Sequence, residues 1–208
     1  MTGCQWNQLP ERYGKWNSVY RFHLRWAKKG VFNALLRETV RLRDRDEFKV
    51  IDATHVKVHQ DACHFRGNPE AQGFGKTKGG RNSKLSAVTN GRGKLIGVRL
   101  VPGNEPDLKS ALEVLGDVRK KVVLADKGYD SDGFRNQVIA GGGVPVIPGR
   151  TNRKRPVFYI KEVGRKRYVV ENYFCRIKRF RRIGTRYDRL PETFLSFVNL
   201  ASLMDWLR

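Results

Sequence analysis

Lys120-Lys121-Val122-Val123-Leu124-Ala125-Asp126-Lys127-Gly128-Tyr129-Asp130-Ser131 is the stretch that decides the fold. Residues 122–125 are apolar without alternation, as in a strand buried on both faces, and such strands belong to sheets covered by helices on either side. Asp126 ends the run, Gly128 permits a turn, and Asp130 or Ser131 caps the next helix. Upstream, Pro106 opens a helix that runs to about Gly116 with Leu108, Ala111, Leu112 and Leu115 inward. Downstream, Val144-Pro145-Val146-Ile147-Pro148 is short and proline-bounded, an edge strand.

Further out, Leu85, Ala87 and Val88 and then Leu95, Ile96, Val98, Leu100 and Val101 bracket Thr89-Asn90-Gly91-Arg92-Gly93, a hairpin with an Asn-Gly turn. Residues 46–54 (Asp-Glu-Phe-Lys-Val-Ile-Asp-Ala-Thr) form another strand, with Phe48, Val50 and Asp52 on one face. An acid inside a short apolar run costs free energy unless something pairs with it. Residues 60–82, rich in glycine, look like a mobile loop whose Lys76, Lys78 and Arg81 would meet a phosphate backbone. Gly-Lys-Thr at 75–77 is not a nucleotide phosphate loop, because position 70 is Glu where that motif needs glycine. Residues 1–45 form a helical front piece. One helix is capped by Asn17 or Ser18, with a stripe of Val19, Tyr20, His23, Trp26 and Ala27; it stops at Gly30. The second carries Val31, Phe32, Leu35, Leu36 and Val40. A helix-turn-helix is permitted there, but plain packing is the simpler account.

The order strand, strand, strand, helix, strand, helix, strand, helix is the layout of the ribonuclease-H-like fold. The fold class is therefore α/β: a ribonuclease-H-like mixed sheet flanked by helices, with a small N-terminal helical piece. The expected division is residues 1–45 and 46–208, with a basic loop or hairpin inserted at about 149–166. In open α/β sheets sites gather beyond the C-terminal ends of the strands. The fold makes the first strand and the fourth neighbours, which brings Asp52 and Asp126 together.

Residues 165–189 supply the third acid. Up to about Phe180 the stretch is a helix with Val170, Tyr173, Phe174 and Ile177 on its apolar face and Arg167, Glu171, Lys178 and Arg182 on a neighbouring stripe. It holds ten Lys or Arg against two acids, Glu171 and Asp188. The closing helix begins at Pro191-Glu192 and buries Phe194, Phe197, Val198, Ala201, Met204 and Leu207. The 208-residue chain carries a net charge of +22, far beyond what solubility requires, which points to an anionic polymer. No apolar run of spanning length or lipidation signal favours a membrane. Three scattered cysteines and no secretory signal fit a reducing cytoplasm. Three carboxylates in so basic a chain make sense as a cage for hard divalent ions shared with phosphates.

The sequence resembles bacterial DDE transposases of the insertion-sequence-five family. The resemblance rests on Asp-Ala-Thr-His-Val-Lys (52–57), Gly-Gly-Arg (79–81), Leu-Ala-Asp-Lys-Gly-Tyr-Asp-Ser (124–131), Arg167, Glu171 and Lys178, and Ile-Gly-Thr-Arg-Tyr-Asp (183–188). The family signature sets an Arg four residues before the catalytic Glu and a Lys or Arg seven after it, and Arg167 and Lys178 comply. Its earlier Tyr would stand at position 164, which is Gly here. The resemblance implies that Asp52, Asp126 and Glu171 are catalytic and hold two Mg²⁺ ions, with Mn²⁺ as a substitute. It implies hydrolysis at element ends, followed by attack of the freed 3′-hydroxyl on target DNA. The expected partners are double-stranded DNA (terminal inverted repeats and target) and a second copy of the chain on that DNA. The expected location is the bacterial cytoplasm, at the nucleoid. Arg167, Lys178 and Arg182 would grip the backbone near the scissile bond, with Lys127 a further contact. The front piece also looks like the family, where more helical sequence usually precedes it, so a shortened copy, a misassigned start or a second reading frame would each account for the beginning.

Competing patterns are weaker. His55, His59, Cys63 and His64 cluster in sequence but lack the two well-spaced ligand pairs of a structural zinc site. Asp-Ala-Thr at 52–54 has Thr where haloacid-dehalogenase-type phosphatases need a second Asp. A DNA-binding remnant without cleavage, or a stand-alone metal-dependent nuclease, are the other functional classes.

Overall fold

The computed structural model describes residues 3–63 and 68–208; His64 of the histidine cluster lies outside them. Helices α1 (Trp16–Lys28) and α2 (Val31–Arg43) lead into β1 (Phe48–Val58) and a single turn, α3 (Gln60–Cys63). Strands β2 (Gly75–Thr77), β3 (Gly80–Thr89) and β4 (Leu95–Pro102) follow, then α4 (Asp107–Leu115), β5 (Val122–Leu124), α5 (Asp132–Ala140) and β6 (Val144–Val146). The chain closes with α6 (Lys161–Arg165), α7 (Tyr168–Lys178), α8 (Arg181–Gly184), β7 (Thr185–Arg186) and α9 (Pro191–Trp206).

The seven strands form one mixed sheet. β1 pairs antiparallel with β3, and β3 carries β4 and β2 on its far edge. On its other edge β1 runs parallel to β5, from Phe48↔Val122 to Val50↔Leu124, and β5 runs parallel to β6. Further along that same edge β7 pairs with Lys57 and Val58. Between these two pairings, no described strand covers residues 51–56 of β1 on that side. This opening in the middle of the sheet, just past the end of β5, is where an α/β sheet places its site.

Alternation along the strands builds two cores. Val50, Val56 and Leu124 join Val170, Tyr173, Phe174 and Ile177 of α7 and Phe194 and Val198 of α9 on one face. Ile51 and Val123 face the other way, against Ala111 and Leu115 of α4 and Phe134 and Val138 of α5. The four apolar residues of α7 are all buried, as their spacing predicts, and β5 is covered on both sides. This mixed, helix-flanked sheet is consistent with a ribonuclease-H-like fold. No described helix is long and apolar enough to cross a membrane.

Several local expectations are corrected. Residues 60–82 are not a plain loop, because α3, β2 and the start of β3 lie there. The start of β3 shows no apolar pattern because Ser83 and Lys84 are buried there with partners. Ser83 donates to Gly73 O, and Lys84 donates to Glu105 O and the Asp107 carboxylate. β5 is consequently the fifth strand, not the fourth. The β3–β4 hairpin uses a longer turn than Asn-Gly alone. Gly93 N donates to Asn90 O, Asn90 N to Lys94 O, and the left-handed residue is Gly93 at φ +73°. That is a type I turn followed by a glycine in the left-handed region.

α1 begins at Trp16, ahead of Asn17 and Ser18, with no side-chain cap; Gly30 does break the pair, at φ +68°. Leu35, Leu112, Met204 and Leu207, expected inward, are exposed. The basic stretch 149–166 is irregular apart from α6 and forms no hairpin. The long basic helix also ends earlier than its pattern suggests. α7 stops at Lys178, and Phe180 in extended conformation separates it from α8.

Candidate active site

Asp52 and Asp126 are matched by strand register. Each stands two residues beyond the last paired position, Val50 opposite Leu124, on parallel strands. Neighbouring strands lie about 4.8 Å apart, and residues two apart share a face. Val50 and Leu124 both face α7, so Asp52 follows them onto the α7 side, into the opening beside β1. Asp126 also closes the turn behind it, its Oδ1 accepting from Gly128 N at 2.8 Å.

Glu171 comes from above. α7 packs across β1 and β3 through Val170, Tyr173, Phe174 and Ile177, and Glu171 stands beside Val170 on the solvent side. The Arg167 guanidinium, one turn earlier, lies 3.5 Å from its carboxylate. Asp52 feels both of the other acids. Asp52's carboxyl is pushed up to about 6, above all by burial. The Ala53 N–H, which donates to its Oδ1 at 2.8 Å, and Arg167 hold it back, while Asp126 and Glu171 push it further up. Desolvation penalises the charged form and like charges add to the penalty, whereas a cation would relieve both.

Lys178 lies on the other side of Glu171 from Arg167. Its Nζ donates to Thr54 Oγ1 at 2.6 Å and His55 O at 3.0 Å, two and three residues past Asp52, and burial lowers its pKa. Arg167 and Lys178 therefore flank the acids along β1. Arg182 does not join them. Its guanidinium lies 3.3 Å from Asp188 Oδ1, donates to Cys4 O and stacks over Trp6 and Phe197, on α8. Lys127 is exposed immediately after Asp126. Lys76 and Arg81 sit opposite one another on the β2–β3 hairpin with Lys78 in its turn, all exposed, at the far end of β1 from β5.

Among the described residues no three of His, Cys, Asp and Glu are gathered closely enough to enclose a metal ion. Each of the three acids is engaged locally: with Ala53 N, with Gly128 N and with Arg167. The donor chemistry nevertheless fits a hard divalent cation, since all three are carboxylates and Asp52 is destabilised as an anion by burial above all.

The residues that hold this geometry were less legible. Asp130, buried, accepts from Arg135 Nε at 2.9 Å, Arg153 at 2.8 Å and Arg150 N at 2.8 Å, and Arg150 also donates to Lys127 O and Gly128 O. Those contacts clamp the turn that carries Asp126 to the start of the basic insertion. The only hint in the sequence is Asp130 among Asp126 and Asp132, with Arg150, Arg153 and Arg155 some twenty residues on.

A family model described as "Transposase DDE domain" matches residues 43–204, and one described as "Putative transposase of IS4/5 family" matches residues 1–36. Among curated proteins, the chain is similar to "Putative transposase for insertion sequence element IS6501" of Brucella ovis: 30% identical over 131 residues, covering 61% of this chain and 98% of that protein. It is 27% identical over 151 residues to "Putative transposase for insertion sequence element IS402" of Burkholderia cepacia, covering 63% and 69% of the two chains. "Uncharacterized protein y4sN" of Sinorhizobium fredii is 36% identical over 80 residues, 38% of this chain and 56% of that protein. No solved structure matches. The mixed, helix-flanked sheet and the match over residues 43–204 agree: the chain belongs to the DDE transposase domain family, with an N-terminal segment of the IS4/5 type.

Proposed function

We propose that this protein cuts DNA at the ends of a mobile element and joins the freed 3′-hydroxyl to target DNA, with Asp52, Asp126 and Glu171 as its catalytic acids. The observation that carries the proposal is the parallel register of β1 and β5, which sets Asp52 and Asp126 at matching positions past Val50 and Leu124, with α7 and its Glu171 packed across β1. The three carboxylates would hold divalent ions, Mg²⁺ or Mn²⁺. Bound ions would supply charge neutralisation at the phosphate and activation of the attacking oxygen. Arg167 balances the acids, and with Lys178 it presents cationic groups at both ends of the row where the strand to be cut would lie. No covalent enzyme intermediate is required, because positioning and charge stabilisation suffice for phosphoryl chemistry.

A net charge of +22 supports tight, salt-sensitive contact with duplex DNA, including exposed Lys127, Lys76, Lys78 and Arg81. Arg182 is better assigned to holding the N-terminal segment against α8 and α9. The expected division at residue 45 would make α1 and α2 a separate piece, and both pack on α9. The local engagement of each acid favours one alternative, a DNA-binding protein that does not cut.

The test is nicking of DNA carrying the element ends, with Mg²⁺ or Mn²⁺, by the unmutated chain and by Asp52→Asn. Cleavage by the former and its loss in the latter, with salt-dependent binding intact in both, is the expected result. Binding without nicking by the unmutated chain would leave the non-cutting alternative in place. Equal nicking by both would remove Asp52 from the site.

A further inference from the structure

Beyond the far end of β1 lies a second feature that the acids do not use. A cleft of about 1310 Å³ opens between the N-terminal segment, the residues that follow β1, and the α8–α9 connection. Its walls carry flat rings, guanidiniums and two carboxylates, Asp188 paired with Arg182 and Asp61 beside His59. Trp6 packs on Tyr20 with ring centroids 5.3 Å apart and lies under Arg182, while Tyr187 meets His59 in a tilted pair with centroids 4.6 Å apart. Trp16, at the start of α1, is 44% exposed.

The cations available to a ligand are arginines. Among the described residues the Arg181 guanidinium has no hydrogen bond or ion pair, and it is exposed; the exposed Arg189 guanidinium donates there only through Nε, to Asp61 O. The volume exceeds that of most small-molecule sites, roughly 300–1,000 Å³, which suits an extended chain rather than a compact ligand. Planar aromatic faces beside planar cations match nucleobases and their phosphates, and duplex DNA, whose bases are already stacked, has none to offer.

The cleft lies further along the chain of β1 from the site, beginning at His59. Lys178 touches Thr54 and His55 midway between Asp52 and His59, and Arg181 follows on the next helix. Seven residues of extended strand separate Asp52 from His59, roughly 20 Å or a few nucleotides. We infer that this cleft is a second DNA site, which takes unpaired bases of a strand leading away from the catalytic acids, stacked on Trp16 and Tyr187 with phosphates at Arg181 and Arg189. The inference rests on the proposed action on DNA and adds the form in which one strand is held.

The experiment uses the full chain in metal-free buffer with two labelled probes of about a dozen nucleotides, oligothymidylate and a duplex, read by fluorescence anisotropy. Base–aromatic stacking is worth about 1–3 kcal/mol per base. Trp16→Ala and Tyr187→Ala, made separately, should each weaken oligothymidylate binding roughly 5- to 150-fold while changing duplex binding by less than about twofold. Tyr187→Phe, which keeps the ring, should bind as the unmutated chain does. With the unmutated protein, 2-aminopurine placed in the single strand should lose fluorescence on binding, a readout independent of whether any variant folds. If both alanine variants hold oligothymidylate normally, or lose duplex equally, or the 2-aminopurine signal does not change, the cleft is not a base-stacking site. Duplex binding and nicking without any binding of oligothymidylate would overturn this inference alone. Failure to bind either probe would overturn the proposed function with it.

Discussion

Replacing Asp52 with Asn should make the metal-free protein more stable at neutral pH while abolishing cleavage. Burial, with Asp126 and Glu171 nearby, raises the Asp52 carboxyl from its usual value near 3.8 to about 6. Below the unfolded value both states hold the proton and there is no penalty. Between 3.8 and 6 the folded state binds it more tightly than the unfolded chain, so stability falls as pH rises. Above 6 the full penalty is present, about 3 kcal/mol from a shift of roughly two pH units. Asparagine is nearly isosteric, keeps an oxygen to accept from Ala53 N, and carries no charge to desolvate. In a chain of this size about 3 kcal/mol corresponds to a rise in Tm of roughly 6–12 °C. The assay is urea or thermal unfolding with EDTA at pH 7.5 and at about pH 4, for the unmutated chain and Asp52→Asn. The gain should be present at the higher pH and nearly vanish at the lower. Magnesium should stabilise the unmutated chain and not the variant, because a ligand of the folded state stabilises it only where it binds. No gain at pH 7.5, or an equal gain at both, would refute the claim that Asp52 is held as a strained anion.

Arg186 is fully buried over the Phe74 and Phe194 rings and donates to Asp188 O, Ser83 Oγ and Arg189 O. Arg186→Met keeps the stem and orphans those acceptors, and should cost about 3–5 kcal/mol in urea unfolding; a loss under about 1 kcal/mol would contradict its role as a hub. His23, stacked on Phe197 and bonded to Ser196, is lowered to about 4 by burial and by Arg182. Its folded value lies below the unfolded one, so it contributes stability that is complete above pH 6.5 and is lost as pH falls through 4. The partly open ring limits this to about 1 kcal/mol after solvent screening. Unfolding midpoints at pH 7 and pH 4 should therefore diverge more for the unmutated chain than for His23→Gln, and identical divergence would dismiss the histidine.

Local pattern was enough for the elements that carry the acids. The unbroken apolar run at 122–125 announces a strand covered on both faces, and the spacing of Val170, Tyr173, Phe174 and Ile177 announces the helix that covers one of them. Both follow from periodicity, which one segment expresses by itself. Charge was the misleading signal. Residues 165–189 hold ten Lys or Arg, with Arg182 among them expected on DNA, yet Arg182 pairs with Asp188, Arg176 pairs with Asp205, and Arg186 is inside the protein. The same holds for Lys49, whose Nζ donates to Leu115 O, and for Lys84 beneath α4.

A cation's destination depends on which carbonyls and carboxylates the fold brings to it from far along the chain, and composition carries no record of that. Tertiary structure alone set the register of Asp52 against Asp126, opened β1 between β5 and β7, and left Asp52 half-buried with a raised proton affinity. It alone also assembled a cleft from residues near both ends of the sequence. Periodicity is a property of neighbours along the chain, whereas desolvation and juxtaposition are properties of neighbours in space.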